Sequence, residues 1–550
     1  MNELIDNMLF HSPALIVAIP LLGAFITPLI GKINDKLRNG FVILIVGITA
    51  FLAFLLSYNI LAHPDYKIAP NIVNNGIQTY VFGGGEPLVQ NSSYAIRILF
   101  EVDGLNAFMA IIASILAIAG VIYAWSHMKE HTGLDKFYTL ILLMIAGLFG
   151  MILTGDMFNF FVFLEITSIA SCALIAFYTN KGKAVDAGFK YIVISSIGAL
   201  FVLFAIGILY SQYNALNMAV LANNIQFTFL DRIAFVLLIS GLAMKAGIVP
   251  MHMWLPDAYG RAPSSVTIVL IGTTLAGFYA ALRMTFTIYG SHLTTTLRTI
   301  GDNTITFNGL LGIILLALAL VTILIGVLMA LKETDFKKMI AFAAVGEIGF
   351  MLLAIGTAIT AISFDATAGV TLMPTHGVVA LKGGIFHIIN DALDVGLLFL
   401  VAGAIYYATK HTSLNQLGGL ARNMKYTTIF FLIGLFAIAG MPPLNGFASK
   451  LLIYQSTYQV NPILAVIAIL CSILLLAVFV KVFHSAFLGP KQEKFEKVKE
   501  VPKSMLIAMG IIACIIIFFG LFPNIVIENI INPVTEAITS NLSYIGGIGL

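Results

Sequence analysis

Charge is what this sequence has least of. Of its 550 residues, 10% are Asp, Glu, Lys or Arg, while 59% are hydrophobic. A soluble domain carries about 25% charged residues. No soluble fold of this length hides so much apolar surface, so the solvent for most of the chain is lipid. Cysteine is scarce too. Cys172, Cys471 and Cys514 stand singly in apolar stretches, with no CxxC pair and no metal-ligand spacing. No iron–sulfur or zinc site, and no cofactor of any kind, is expected in this chain. The net charge of +3 is spread over loops, without the basic cluster that nucleic acid requires. The N-terminus places Glu3 and Asp6 before its first apolar run. It lacks a basic n-region, so a cleaved signal peptide is not expected.

What the chain has instead is about fourteen apolar spans of the roughly 20 residues that a helix needs to cross a bilayer. They lie near 12–31, 40–62, 104–126, 137–154, 157–178, 190–211, 232–256, 264–288, 308–331, 338–360, 374–407, 427–458, 461–488 and 504–523. The expected class is an all-α polytopic membrane protein. The spans at 374–407 and 427–458 are too long for one straight crossing, so each is expected to be bent or broken. Of the 29 Lys and Arg, 20 fall in loops that follow odd-numbered spans and 5 on the other side. The positive-inside rule then puts the odd-following loops in the cytoplasm and both termini outside. The long loop at 63–103 carries Gly83, Gly84 and Gly85. With no strand before it and no helix start close after it, this run reads as surface rather than as a phosphate cradle.

Two decapeptides match: GLAMKAGIVP (241–250) and GLFAIAGMPP (434–443) share Gly, Leu, Ala, Gly and Pro at the same places. Such residues are common in membrane helices. The copies nevertheless fall on the seventh and twelfth spans, five apart, as oppositely directed units would. Matched Gly/Pro interruptions in inverted repeats point to a transporter's ion site. Pro250, Pro442 and Pro443 are the expected breaks, and the carbonyls they free are tolerable only against protein or water.

A charge at mid-bilayer costs about 2.5–3.5 kcal/mol even on the lenient insertion scale. Glu165 lies nine residues after Asp156, about 13–14 Å along a helix. Ion handling is the favoured reading there, and a protonated acid bonded to a neighbouring helix is the bland one. Lys245 sits one turn before Pro250. Paired with Glu165 it would make a tunable proton site, or else a structural ion pair. Lys450 follows the GMPPLNGFASK break, where it either takes part or snorkels outward. GGIFHIINDALDVGLLFL (383–400) carries His387 and Asp391 on one helical face, with Asp394 beside them. This suits a proton relay or a hydrogen-bonded core histidine, and a metal pair less well. Glu347, flanked by Gly346 and Gly349 in AAVGEIGF, is a further candidate at a close helix contact. Lys382, His376 and His252 rank lower, and Trp254 reads as an interface anchor or as part of the site.

Together these stretches resemble the antiporter-like membrane subunits shared by respiratory complex I, Mrp-type multisubunit Na+/H+ antiporters and membrane-bound energy-converting hydrogenases. MKAGIVPMHMWLPDAYGRAPSSV, GDMFNFFVFLE, HIINDAL and GMPPLNGFASK carry the resemblance, from about Val102–Asp103–Gly104 to the last span. It implies fourteen helices in two inverted five-helix repeats with helices 7 and 12 broken. The division is then 1–130 for helices 1–3, 131–290 and 291–490 for the repeats, and 491–550 for the last helix and tail. It also implies a polar axis of Glu165, Lys245, His387 and Lys450. Three positions depart from the pattern. Leu275 stands where many relatives have an eighth-helix lysine, Asp391 where a second histidine is usual, and Val395 where a downstream lysine is common. The short tail after about 523 favours the Mrp D-type or the hydrogenase-type subunit. The expectation is a proton- or Na+/H+-translocating subunit in the plasma membrane. Its expected partners are lipid, other membrane subunits and, in a redox complex, a peripheral redox arm. The competing reading is a stand-alone secondary transporter of a small solute. A membrane-embedded enzyme finds no nucleophile or metal constellation here.

Overall fold

The computed structural model describes residues 2–62, 73–74, 76–82, 98–300, 303–365, 370–490 and 492–546; the Gly83–Gly85 run lies outside them. Six helices form the first part: α1 Asn2–Gly31, α2 Asp35–Ala62, α3 Gly104–His127, α4 Leu134–Leu153, α5 Met157–Ile175 and α6 Gly182–Tyr213. The short α7, Met218–Asn224, leads to α8 Phe229–Ala246, a 3-10 turn Met251–Trp254, α9 Leu255–Arg261 and α10 Ser264–Arg283. Then come α11 Phe307–Lys332, α12 Phe336–Ala361, α13 Thr375–Thr409, α14 Lys425–Ile438, α15 Asn445–Val460, α16 Pro462–Val482 and α17 Lys503–Leu521. The tail folds into α18 Pro523–Val526, α19 Asn532–Thr539 and α20 Asn541–Gly546. With α8 and α9 taken as one crossing, 13 helices among the described residues are long and apolar enough to span a membrane. The pair α14–α15 occupies the expected broken span.

Helix starts follow local chemistry. Asp103 caps α3 by accepting from the Leu105 and Asn106 amides, at 2.9 and 3.1 Å. Asp156 caps α5 through the Asn159 amide at 2.6 Å, and Thr228 with Asp231 forms a capping box on α8. Each cap satisfies amides that water cannot reach. Arg283, at the end of α10, binds both Asp103 carboxylate oxygens, at 2.7 and 2.6 Å, and so ties α10 to the start of α3. Beside this pair the strand Leu99–Val102 joins Ile77–Val81 in a small antiparallel sheet. Its Glu101 is fully buried, and both of its carboxylate oxygens lack a hydrogen-bond partner.

The interior consists of α3, α4, α10, α12 and α13, whose most apolar stretches are largely buried, that of α13 throughout. The rim helices α1, α2, α6, α11, α16 and α17 turn large apolar side chains outward, among them Phe25, Phe189, Phe204, Ile313 and Ile463. Such a surface belongs in lipid or against another membrane protein. One expectation fails here: 374–407 is neither broken nor interrupted, because α13 runs unbroken for 35 residues. It contains no proline after Pro374, so no backbone bond is lost. Its glycines admit neighbours instead: a Cβ on Gly383 would lie 3.0 Å from Leu452 of α15. At about 1.5 Å per residue, this helix exceeds the thickness of the hydrocarbon layer.

Candidate functional site: two lysines at two helix breaks

Both proline interruptions end a helix in the same way. α8 stops at Ala246, Gly247 turns left-handed at φ 71°, and the chain passes Pro250 into the 3-10 turn. α14 stops at Ile438, Gly440 takes the same φ of 71°, and the chain passes Pro442 and Pro443 into α15. A side chain at either glycine would be strained. The carbonyls left near each break find different partners. Met244 accepts from the Trp254 indole at 2.8 Å, so Trp254 is a buried brace across the first break, not an interface anchor. Ile438 accepts from the Lys450 ammonium at 2.7 Å.

Lys450 is buried on α15 and also donates to Glu347 Oε1 of α12 at 2.8 Å. Glu347 Oε2 stands 2.9 Å from His387 Nε2 on α13, at ion-pairing distance though without hydrogen-bond alignment. The other ring nitrogen, His387 Nδ1, meets Ser449 Oγ at 3.1 Å. Asn390 donates to Ser449 and to the Asn445 carbonyl, at 2.9 and 3.0 Å, and Asn445 donates to Asp394 at 3.0 Å. Asp391 is buried, with one oxygen unpartnered. Sequence alone ranked Glu347 below the others, yet it is the centre of this group. Gly346 and Gly349 do admit the neighbouring helix, since a Cβ on Gly349 would lie 2.6 Å from Ile323 of α11.

Lys245, on the last turn of α8, has no carboxylate. Its ammonium donates to the Ser168 hydroxyl of α5 and, at 2.5 Å, to Ser195 of α6; these two hydroxyls are themselves 3.1 Å apart. The expected Glu165–Lys245 pair has no contact at ion-pairing distance; the ammonium's hydrogen bonds go instead to Ser168, nearly one turn further along α5, and to Ser195. Glu165 is half-buried, with one oxygen enclosed and unpartnered, on a helix whose Phe158, Val162 and Ile169 face outward. Ser168 and Ser195 could not be singled out from the sequence, where serines in membrane helices are too common to signal a role.

Between the two lysines stands α10, packed on α8 and on α13. Gly277 lets α10 approach closely: its Cβ would lie 2.9 Å from the Lys245 Cβ. Leu275 and Val395 are buried among apolar neighbours. Polar continuity is carried by other groups. A cavity of about 10 Å³, lined by Tyr191, Lys245, Thr273 and Thr274, is about the least that admits one water. The Tyr259 hydroxyl of α9 donates to Thr274 of α10 at 2.7 Å. The remaining candidates sit apart from these contacts. Lys382 and His376 are half-buried on α13. His252 is buried on the 3-10 turn with Nδ1 unpartnered.

Comparison with known proteins adds a family. The family model described as "NADH:quinone oxidoreductase/Mrp antiporter, TM" matches residues 154–475. NADH-quinone oxidoreductase subunit N of Desulforudis audaxviator (strain MP104C) is 28% identical over 547 residues, 95% of this chain and 98% of the relative. Hydrogenase-4 component B of Escherichia coli (strain K12) is 30% identical over 76% of this chain, which spans only 62% of that protein. Among solved structures, a chain of the membrane-bound sulfane sulfur reductase, an archaeal respiratory membrane complex, superposes with a TM-score of 0.79 at 26% identity, covering 98% of this chain and 99% of that one.

Proposed function

We propose, from the premise that the chain belongs to the NADH:quinone oxidoreductase/Mrp antiporter family of multi-pass membrane proteins, that it moves protons, or protons against Na+, through its buried ionisable groups as one subunit of a larger membrane complex. The observation that carries this reading is the Lys450–Glu347–His387 group, wholly buried and completed by a carbonyl from a helix break. Its counterpart is Lys245 at the other break.

The mechanism is charge switching. While Glu347 is ionised, it holds Lys450 as an ammonium and favours a proton on His387. A proton delivered to Glu347 removes that attraction. Lys450 or His387 can then release its own proton, because a buried charge without a partner is unfavourable. Lys245 is bonded by hydroxyls, with no carboxylate at ion-pairing distance among the described residues to fix its charge. Glu165, on the outer flank of α5, is the acid through which a neighbouring subunit would act on it. Thr274, Tyr259 and Asp391 take the place of the absent eighth-helix lysine between the halves. The two halves, 131–290 and 291–490, would work as oppositely directed units, with 1–130 and 491–550 flanking them. The 20-to-5 bias of Lys and Arg supports both termini outside a plasma membrane. Other membrane subunits and, in a redox complex, a peripheral arm would supply the driving reaction, with no cofactor held in this chain. A stand-alone solute carrier would need a roomy site at Lys245, where the cavity is water-sized.

The test is ion translocation by the assembled complex in proteoliposomes. Lys245→Ala and Glu165→Gln should each abolish translocation while leaving assembly intact. Full pumping in either variant removes that residue from the mechanism.

A further inference from the structure

A second group of charged side chains lies away from the lysine row, on the face where most of the Lys and Arg emerge. A cavity of about 340 Å³ opens there, lined by His127, Lys181, Lys183, Arg261 and Lys337, with Tyr178 and Tyr406 at its wall. Two of these groups are buried without compensation. Lys337 is 6% exposed; its ammonium donates to the Ala262 carbonyl at 2.9 Å, and no carboxylate lies within ion-pairing distance of it among the described residues. His127 is 5% exposed, and its Nδ1 has no hydrogen-bond partner. The acid nearest in sequence, Asp335, is already engaged. It accepts from the Lys337 and Lys338 amides, from Thr412 at 2.9 Å, and faces Arg261 at 3.8 Å. Lys181 is held in place by a 2.5 Å bond to the Tyr406 hydroxyl and sits over the rings of Tyr178 and Tyr406, 4.9 Å from each centroid. The 32-residue helix α6 starts at the cavity with no side-chain cap, so its amide ends add positive potential.

We infer that this cavity binds a phosphate group, as a mono- or diester, between Lys337, Arg261, the lysines at the start of α6 and His127. The charged side chains that line the site, Lys181, Lys183, Arg261 and Lys337, are all cationic, so hydronium or Na+ would be disfavoured there and an anion favoured. A phosphate supplies several acceptor oxygens at once. It would neutralise the buried Lys337 ammonium and accept from whichever His127 nitrogen carries a proton. Its ligands come from both halves of the chain, α6 and α9 of the first and α12 of the second, with His127 from the flanking α3, so a bound phosphate would pin the halves together at this face. Two sources share this chemistry: free phosphate and the headgroup of an anionic phospholipid, for which basic pockets between membrane helices are suited.

The test uses the full-length protein in nanodiscs. Its unfolding temperature is followed as sodium phosphate is titrated against sodium chloride at equal ionic strength. One set of discs is made of phosphatidylcholine alone and a second contains phosphatidylglycerol. Native mass spectrometry counts retained lipids. A phosphate-specific rise in phosphatidylcholine discs identifies free phosphate as the ligand. A rise and a retained lipid with phosphatidylglycerol, but no response to phosphate, identifies the headgroup. In either case Lys337→Met and the surface change Lys183→Gln should each weaken half-saturation by about tenfold, and Lys337→Arg should restore most of it. Lys183→Gln keeps the test open if Lys337→Met does not fold. The inference fails if neither phosphate nor phosphatidylglycerol shifts unfolding beyond chloride. It fails equally if both shift Lys183→Gln and Lys337→Met as they shift the natural chain. An acidic side chain of a companion subunit cross-linked to Lys337 in the assembled complex would also overturn it.

Discussion

The two lysines occupy matching breaks but keep different company. Lys450 is held by a carboxylate and a freed backbone carbonyl, with a histidine on the far side of the same carboxylate. Lys245 is bonded by two serine hydroxyls, with no carboxylate at ion-pairing distance among the described residues. A buried ion pair resists the loss of either partner, whereas a hydroxyl cradle serves a neutral amine as well as an ammonium. The second site is thus built to store charge and the first to release it. The same local device, a helix stopped by a left-handed glycine before proline, supports both.

The sharpest way to break this comparison is to remove the charge from the second site. Glu347→Leu leaves Lys450 buried without its carboxylate, and breaking a buried pair costs about 3–5 kcal/mol. Denaturant or thermal unfolding of the purified complex should show that loss together with absent translocation. Removing Lys245 is expected to be far milder for the fold. In Lys245→Met, Ser168 and Ser195 still bond each other, so stability should fall by only about 1 kcal/mol. Equal losses in the two variants would mean that the sites do not differ as described. A smaller effect is expected when the cradle is trimmed one hydroxyl at a time. Ser168→Ala or Ser195→Ala removes one of the two bonds while the other still holds the amine, so stability should fall by about 0.5 kcal/mol. Translocation should fall in each variant while assembly is unchanged.

Glu101 extends the comparison to a buried acid with no bonded cation, outside the spanning helices. Burial pushes its carboxyl up from 4.5 to about 8, against the lowering pull of Arg283. A raised folded value means that the protonated form favours the fold. Its contribution is therefore full below pH 4.5 and is lost as pH rises through about 8. Glu101→Gln stays neutral, so the variant's unfolding temperature should fall less than the natural chain's between those limits. An unchanged decline would place the pH dependence elsewhere.

Much of this was legible in the sequence because lipid punishes exceptions. Lys245, Lys450, His387 and Asp391 stand out in apolar runs, and Pro250, Pro442 and Pro443 mark where two helices stop. Span lengths followed from the same apolar pattern. The unbroken course of α13 did not, since its length suggests a break that no proline enforces. Nor did the partners. Glu347 was visible as a buried acid but not as the shared counter-ion of Lys450 and His387, which come from helices α15 and α13. Ser168 displaced Glu165 at Lys245 through a difference of less than one helical turn. Tyr259 and Thr274 are ordinary residues in the sequence, and only packing α9 on α10 joins their hydroxyls.

The claim on which the rest depends is that the two lysine sites serve one route, joined through that hydroxyl pair. The most direct measurement is translocation by the assembled complex carrying Tyr259→Phe with Thr274→Val, in which both lysines and their partners are untouched. The account predicts normal assembly and a translocation rate lowered by about 10²-fold, the scale of a lost proton-transfer group. Translocation at the natural rate would contradict it and leave the two sites working separately.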